Sequence, residues 1–169
     1  MAYMYLGAEV PYRAARIIEK GMKDEIIEKT AKNLEVLGQA WWQAKNLESA
    51  LKSFEEASKY SDTGEIQSRI ASIYLDLGKD KQAYKAAQKA AKKGDIKNTS
   101  TNYATMGSAL INLHCYKDAV KAFNKSVKTA KTKKAKRYPS QWIKFANAEG
   151  SRLQKLRDVG ATVPGCSKA

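Results

Sequence analysis

Of all the segments in the sequence, the pair His114-Cys115 has the residue types that best fit a reactive site. A thiolate beside an imidazole can act as a nucleophile or bind zinc. His114 is the only histidine, however, and Cys166 is the only other cysteine, so a set of zinc ligands is lacking. No serine, histidine and acid can be placed together as a hydrolytic triad, and no glycine-rich phosphate loop occurs. We therefore expect no enzymatic activity and no cofactor or metal ion.

Both residues have simpler interpretations. We expect His114 to be a turn residue or a partly buried ring between two helices. Two cysteines are too few for a disulfide framework, and they do not decide between a reducing and an oxidising compartment.

The adjacent tryptophans Trp41 and Trp42 point about 100° apart on a helix, so they cannot both face one core. Trp41 occupies the core position of the pattern described below. Trp42 then either lies on a binding surface, where such a side chain is a good anchor, or packs on a neighbouring helix.

The formal net charge of +14 is unevenly distributed. Residues 1–60 carry nine acidic and nine basic side chains, whereas residues 61–169 carry eight acidic and 22 basic ones. Such asymmetry can mark a surface for nucleic acid, a membrane or an acidic partner, and it can equally be a solvated lysine-rich face. No apolar run is long enough to span a bilayer, so we expect no transmembrane segment.

An internal repeat organises the first 130 residues. A small residue recurs at Ala14, Ala50, Ala83 and Ala119, with spacings of 36, 33 and 36. The segments Leu34–Trp41, Ile70–Gly78 and Tyr103–Leu110 precede the last three of these residues with the same pattern of small and aromatic positions.

This pattern resembles the tetratricopeptide repeat, whose units of about 34 residues are antiparallel helix pairs. The resemblance implies an all-α fold, a right-handed superhelical solenoid with a C-terminal capping helix. We predict repeats over about 1–27, 30–60, 64–94 and 99–130. The helix pairs would be 2–9 with 11–22, 31–44 with 47–60, 65–77 with 80–93, and 100–113 with 116–130.

Three further segments complete the predicted organisation. A basic linker followed by a capping helix that starts at Pro139 fills residues 131–158, and residues 159–169 form a flexible tail. At the other end, residues 1–6 resemble the middle of a helix, so we expect a truncated first pair and a longer parent protein. Self-association through that uncovered N-terminal helix is possible on this interpretation.

The family's concave groove is lined by fixed positions of the first helix of each pair. Carried onto this sequence, the predicted groove residues are Tyr3, Leu6, Lys32, Glu35, Gln39, Trp42, Gln43, Glu65, Ser68, Ser72, Leu75, Asp76, Thr101, Ala104, Ser108, Ile111 and Asn112. The fifth and ninth positions are Glu35 and Gln39 in one first helix and Ser68 and Ser72 in the next, so the lysine and asparagine clamp with which some members grip a partner's terminal carboxylates is absent. The resemblance implies a non-enzymatic scaffold that binds a protein or peptide segment in the groove.

Lysine rows favour one alternative. Lys85, Lys89, Lys92 and Lys93 lie along one second helix, and Lys117, Lys121, Lys125 and Lys128 along another. They could bind a polyanion or an anionic membrane. Nucleic acid is disfavoured, because lysine greatly outnumbers arginine and no aromatic residue interrupts the rows to stack on bases.

A narrower resemblance rests on three stretches. Pro11–Gly21, Thr30–Trp41 and Gln141–Ile143 are similar to segments of tetratricopeptide proteins that accompany the TonB–ExbB–ExbD energy-transduction system of Gram-negative bacteria. This likeness implies a periplasmic accessory of TonB-dependent uptake; without it, a cytoplasmic location is expected.

Overall fold

A computed structural model describes residues 10–61 and 63–168. The described residues form eight α-helices and no strand. Their bounds are α1 Pro11–Lys23, α2 Ala31–Gln43, α3 Leu47–Ala57, α4 Gly64–Asp76, α5 Asp80–Lys93, α6 Thr99–Asn112, α7 Tyr116–Thr129 and α8 Lys133–Asp158. None of these helices combines the length and the apolar character that crossing a membrane requires. The predicted all-α solenoid is therefore confirmed for this part of the chain.

Three helix pairs, α2 with α3, α4 with α5 and α6 with α7, are joined by turns of identical length and geometry. The middle residue of each turn, Lys45, Gly78 or His114, has a left-handed backbone with φ between 58° and 68°. In each turn two backbone amides return to the last turn of the preceding helix; the Cys115 amide, for example, donates to the Leu110 carbonyl at 2.8 Å. These bonds satisfy carbonyls that the end of a helix leaves unpaired. His114 is thus a turn residue.

A glycine and a phenylalanine bring the two helices of a pair together. A Cβ atom added at Gly38 would lie 2.8 Å from the Phe54 ring, and one added at Gly107 would lie 2.8 Å from the Phe123 ring. The equivalent positions of the middle pair are Ala71 and Ala87, both fully buried. The middle pair thus has two small side chains where each flanking pair has a glycine and a large ring, so less side-chain volume separates its helices.

The buried side chains form two clusters along the solenoid. The first is built from α1 to α5 and includes Trp41 and Phe54. The second is built from α6 to α8 and includes Leu110 and Phe123. Met106 packs against both clusters, so the core is continuous across the boundary between α5 and α6.

Helix α8 differs from the predicted capping helix in where it begins. The predicted start was Pro139, but the helix begins at Lys133, after the Thr132 hydroxyl caps the Ala135 amide. Pro139 lies inside it, where proline removes one backbone hydrogen bond. The fully buried proline and the neighbouring Trp142, which stacks on Phe123, hold the helix on the end of the solenoid. Residues 133–138, predicted as linker, are therefore helical.

Candidate partner-binding groove

Side-chain hydrogen bonds join the successive first helices α2, α4 and α6, and then α8. The Trp42 indole N–H donates to Asp76 Oδ2 at 3.0 Å, and the Arg69 guanidinium donates to Gln39 Oε1 at 2.7 Å. The next step is the pair Ser72 and Thr105, whose hydroxyls lie 3.4 Å apart. The Ser108 and Tyr138 hydroxyls, 3.0 Å apart, then connect α6 to α8. Helix α8 thus occupies the place of a first helix in a further pair.

Trp42 shows features of both interpretations that the sequence allowed. Its ring is half-buried and packs against the first core cluster. Its indole N–H is bonded to exposed Asp76, from the next first helix. One part of the side chain therefore holds α2 against α4, while the rest stays accessible on the surface that these helices form.

A cleft of about 300 Å³ lies where α6 meets the start of α8. Its walls are mostly hydroxyl, amide and small apolar groups, and none of them is charged. The lining residues are Leu75, Asn98, Ser100, Thr101, Ala104, Thr105, Ser108, Ser126, Ala135, Tyr138 and Pro139. At its base Ser100 and Ser126 are buried and each donates to the other's backbone carbonyl, at 2.9 and 2.8 Å.

The start of α8 carries positive charge that no acid compensates. Between residues 119 and 148 the sequence has nine lysines and arginines and no acidic residue. Lys133, Lys134, Lys136 and Arg137 are exposed and have no ion pair among the described residues. A helix favours acids in its first turn, because its amino terminus carries partial positive charge. This corner of the molecule therefore has a strongly positive potential.

A second cleft, of about 910 Å³, lies between α7 and α8. Cys115, Val120, Ala146 and Leu153 supply its apolar walls, with Arg157 among its polar ones. The Cys115–Cys166 disulfide lies at its edge and connects residues 51 positions apart. The cysteine count alone did not indicate this bond, since a lone pair carries no recognisable spacing.

The C-terminal tail lies along α7 and α8, which differs from the predicted flexible segment. The Ser167 amide donates to the Leu113 carbonyl at 3.0 Å, and the Arg157 guanidinium donates to the Pro164 carbonyl at 2.9 Å. Lys168 forms an ion pair with Asp118. This hydrogen-bonded ion pair, with a smaller contribution from Lys121, holds the pKa of Asp118 below its ordinary value. Together with the disulfide, these contacts attach the tail at four points.

No family model matches the sequence, and no curated protein matches it. Several solved structures, however, have a similar fold. A tetratricopeptide repeat protein from Parabacteroides merdae superposes with a TM-score of 0.71 at 18% sequence identity, covering 94% of this chain and 64% of that one. MamA from Desulfovibrio magneticus RS-1 superposes with a TM-score of 0.67 at 16% identity, covering 95% and 93%. Another crystal structure of MamA gives a TM-score of 0.69 at 14% identity, covering 92% and 97%. The chain has a tetratricopeptide-repeat fold.

The helices α2, α4, α6 and α8 form one row, and most of the predicted groove residues that the structure describes are accessible on it. Lys32, Gln43, Asp76, Thr101 and Asn112 are exposed; Glu35, Gln39, Trp42, Glu65, Ser72, Leu75, Ala104 and Ser108 are half-buried. Tyr3 and Leu6 lie outside the described residues, as does the N-terminal helix that was predicted to self-associate.

Two predicted groove residues are buried rather than accessible. Ser68 and Ile111 are each only 8% exposed. Ile111 packs in the second core cluster, and the Ser68 carbonyl accepts a 3.3 Å bond from the Ser72 hydroxyl within α4. Neighbouring first helices lie close enough together to cover both positions.

Seven residues that line the α6–α8 cleft were not among the predicted groove residues: Asn98, Ser100, Thr105, Ser126, Ala135, Tyr138 and Pro139. Ala135 and Tyr138 were not expected because the last helix was predicted to start only at Pro139. Thr132, three residues before Ala135, has the spacing of an N-cap, and that signal indicates the earlier start. Among the described residues no cluster of three or more potential metal ligands occurs.

Proposed function

We propose that the chain is a non-enzymatic scaffold that binds a segment of a partner protein in its concave groove. The observation that supports this most directly is the cleft between α6 and α8, which is lined by hydrogen-bonding groups and includes exposed Thr101; exposed Asn112 follows cleft-lining Ser108 by one helical turn. Pockets with a few convergent polar groups are the usual form of peptide and ligand sites.

Filling that cleft tests the proposal. Ala104 is half-buried and lines it, so Ala104→Trp should block a bound segment. Ala148 is exposed on α8 and outside the cleft, and Ala148→Trp adds the same side chain there as a control. A photo-reactive residue at exposed Asn112 identifies the partner by cross-linking. We expect Ala104→Trp to abolish the cross-linked product and Ala148→Trp to preserve it; equal products with both variants contradict groove binding.

We further propose that the partner belongs to a TonB-type transport system. Support comes from the three stretches Pro11–Gly21, Thr30–Trp41 and Gln141–Ile143, and from the disulfide, because disulfides persist in oxidising compartments such as the periplasm. Soluble periplasmic domains of TonB and ExbD are the probes for calorimetric titration. Saturable binding that Ala104→Trp removes is expected, and absence of binding to both domains contradicts this assignment.

A second candidate is binding of a polyanion or an anionic membrane by the outer lysine rows. All four lysines of the α7 row are exposed, and among the described residues only Lys121 of this row has an acidic partner, Asp118. Sedimentation with vesicles that contain phosphatidylglycerol, over a range of salt concentrations, tests it. Binding that weakens with salt and with Lys125→Glu supports this candidate, and no binding at low salt excludes it.

A further inference from the structure

We propose that the α6–α8 end of the groove binds an acidic, extended peptide segment that carries an apolar side chain among its carboxylates. The inference rests on the proposed groove function and specifies the chemistry of the partner there. Three features of this corner support it: free hydrogen-bond donors in the cleft, unpaired cations on both sides of it, and accessible aromatic rings beside it.

The upper wall of the cleft offers free donors. Asn98 Oδ1 accepts the Thr101 amide at 3.1 Å and so caps α6, which leaves the Asn98 amide group free to donate. The Thr101 hydroxyl also has no partner among the described residues, and both side chains are exposed. A carboxylate is an acceptor with two oxygens and can satisfy both groups at once.

Cations flank the cleft on its two sides. On the α6 side Lys97 directly precedes Asn98 and is exposed. On the α8 side Lys134 lies one helical turn before Tyr138, so both project from the same face, and exposed Lys131 lies just before the N-cap residue Thr132. None of the three ammonium groups has an ion pair among the described residues, although the Lys97 backbone amide donates to Glu65 Oε2 at 3.0 Å. If a peptide segment bound in the cleft has carboxylates on both sides of its central residue, each carboxylate would lie near a lysine.

The aromatic rings indicate that the partner segment is not purely charged. Tyr138, which lines the cleft, is 48% exposed, and Phe145, seven residues later and so on the same face of α8, is 45% exposed. Phe145 and Tyr138 each contact Trp142, with ring centroids 5.3 and 6.0 Å apart, which fixes their orientation. Rigid rings of this kind provide contact area for an apolar side chain at low entropic cost.

The arrangement differs from the carboxylate clamp of other repeat proteins, because the cations come from α8 and the loops rather than from α2 and α4. It also favours a peptide over a nucleic-acid duplex or a bilayer. A cleft of about 300 Å³ between two helices admits a few side chains of an extended segment, whereas a duplex or a flat membrane would meet only its outer rim.

The test uses fluorescence anisotropy with the full chain and two labelled peptides. In the first, glutamates alternate with small residues around one central leucine; in the second, glutamines replace the glutamates. We expect Lys131→Glu/Lys134→Glu to weaken binding of the glutamate peptide about tenfold or more. The matched variant Lys85→Glu/Lys89→Glu changes net charge equally on the outer face of α5 and should change affinity by less than about twofold. Equal weakening by both variants would overturn the proposal, since it would show unspecific attraction.

Other outcomes separate this inference from the proposed groove function. If the glutamine peptide binds equally well and Ala104→Trp abolishes its binding, the groove function stands and the acidic specificity is wrong. If Ala104→Trp and the more exposed Thr101→Trp both leave the glutamate peptide bound, the groove assignment itself fails. Displacement of the peptide by duplex DNA or by phosphatidylglycerol vesicles at matched charge would assign the corner to a polyanion instead. Circular dichroism of each variant verifies that it is folded.

Discussion

The Phe123 ring of α7 lies against the backbone of Gly107 in α6, so close that a single added methyl group would come within 2.8 Å of three ring atoms. Phe123 is fully buried, and its ring is also held by Trp142, stacked at a centroid distance of 6.4 Å. The Phe123 ring therefore has no free space into which it could move away from residue 107.

We predict that Gly107→Ala destabilises the protein by about 1–3 kcal/mol, because overpacking forces side chains and backbone to shift. This loss outweighs the gain of roughly 1 kcal/mol that alanine normally brings to a helix. Urea unfolding followed by circular dichroism measures it. Gly165→Ala is the control, since an added Cβ atom there has open space around it; equal stability of the two variants would contradict the packing argument.

The middle helix pair provides a reciprocal test. Ala87→Phe should cost about 1–3 kcal/mol, because the helices there are spaced for Ala71 and Ala87. Adding Ala71→Gly reproduces the glycine and phenylalanine of the neighbouring pairs, so the double variant should recover part of that loss despite the lower helix propensity of glycine. A double-mutant cycle by urea unfolding gives the coupling energy, and strictly additive changes would refute it.

The three inter-helix turns predict opposite effects of glycine at equivalent positions. Gly78 has φ +68°, so Gly78→Ala should destabilise by roughly 1 kcal/mol. His114 has φ +58° in the same position of the next turn, so His114→Gly should be neutral or stabilising by up to about 1 kcal/mol. Thermal unfolding of the two variants checks the signs. A clear loss with His114→Gly would show that its 3.3 Å contact with the Tyr116 hydroxyl matters more than backbone strain.

The disulfide predicts a redox-dependent stability. It closes a loop of 51 positions, for which the chain-entropy model gives roughly 4 kcal/mol of stabilisation. Reduction should therefore lower the melting temperature and increase hydrogen exchange in α8. Cys166→Ser should melt at the temperature of the reduced protein and should not respond to reductant. If reduction leaves both the melting temperature and the exchange of α8 unchanged, the disulfide does not hold this helix.

The ion pair between Asp118 and Lys168 predicts a weakening of the tail attachment in acid. Because the folded-state pKa of Asp118 is lowered by this hydrogen bond, its stabilising contribution is present above the ordinary aspartate pKa and is lost as the pH falls through the folded value. In an NMR titration, the chemical shift of the Lys168 side chain should change over the pH range in which Asp118 is protonated. In Asp118→Asn the acid-dependent shift of Lys168 should disappear; its persistence would assign the transition to another carboxyl group.

Much of the fold follows from the sequence, because the repeat fixes both helix length and partner. The positions Gly38, Ala71 and Gly107 recur where first helices approach their partners, and the predicted bounds of α2 to α7 lie within three residues of the observed ones. These helices depend on local signals that a single sequence displays: a turn and a small residue at the contact, and in α2, α3 and α6 also a side-chain N-cap.

The groove and the C-terminal end were less predictable, because they depend on distances between repeats. The burial of Ser68 and Ile111 follows from how closely successive first helices pack, which the register of one repeat does not encode. Pro139 led to the wrong start for α8, because proline is common in the first turn of a helix, whereas here it lies inside one. The partner of Cys115 was equally hidden, since Cys166 reaches it only after the whole of α8 has crossed the end of the solenoid.

The bond between Cys115 and Cys166 also changes the topology of the polypeptide. The backbone from one cysteine to the other, with α7 and α8 inside it, is a closed covalent ring. A protease that cuts once anywhere within this ring opens it but releases no fragment, so the basic face of α7 and the cleft residues of α8 stay joined to the rest of the solenoid. A single cut in this region would therefore not change the size of the protein in electrophoresis until the disulfide was reduced.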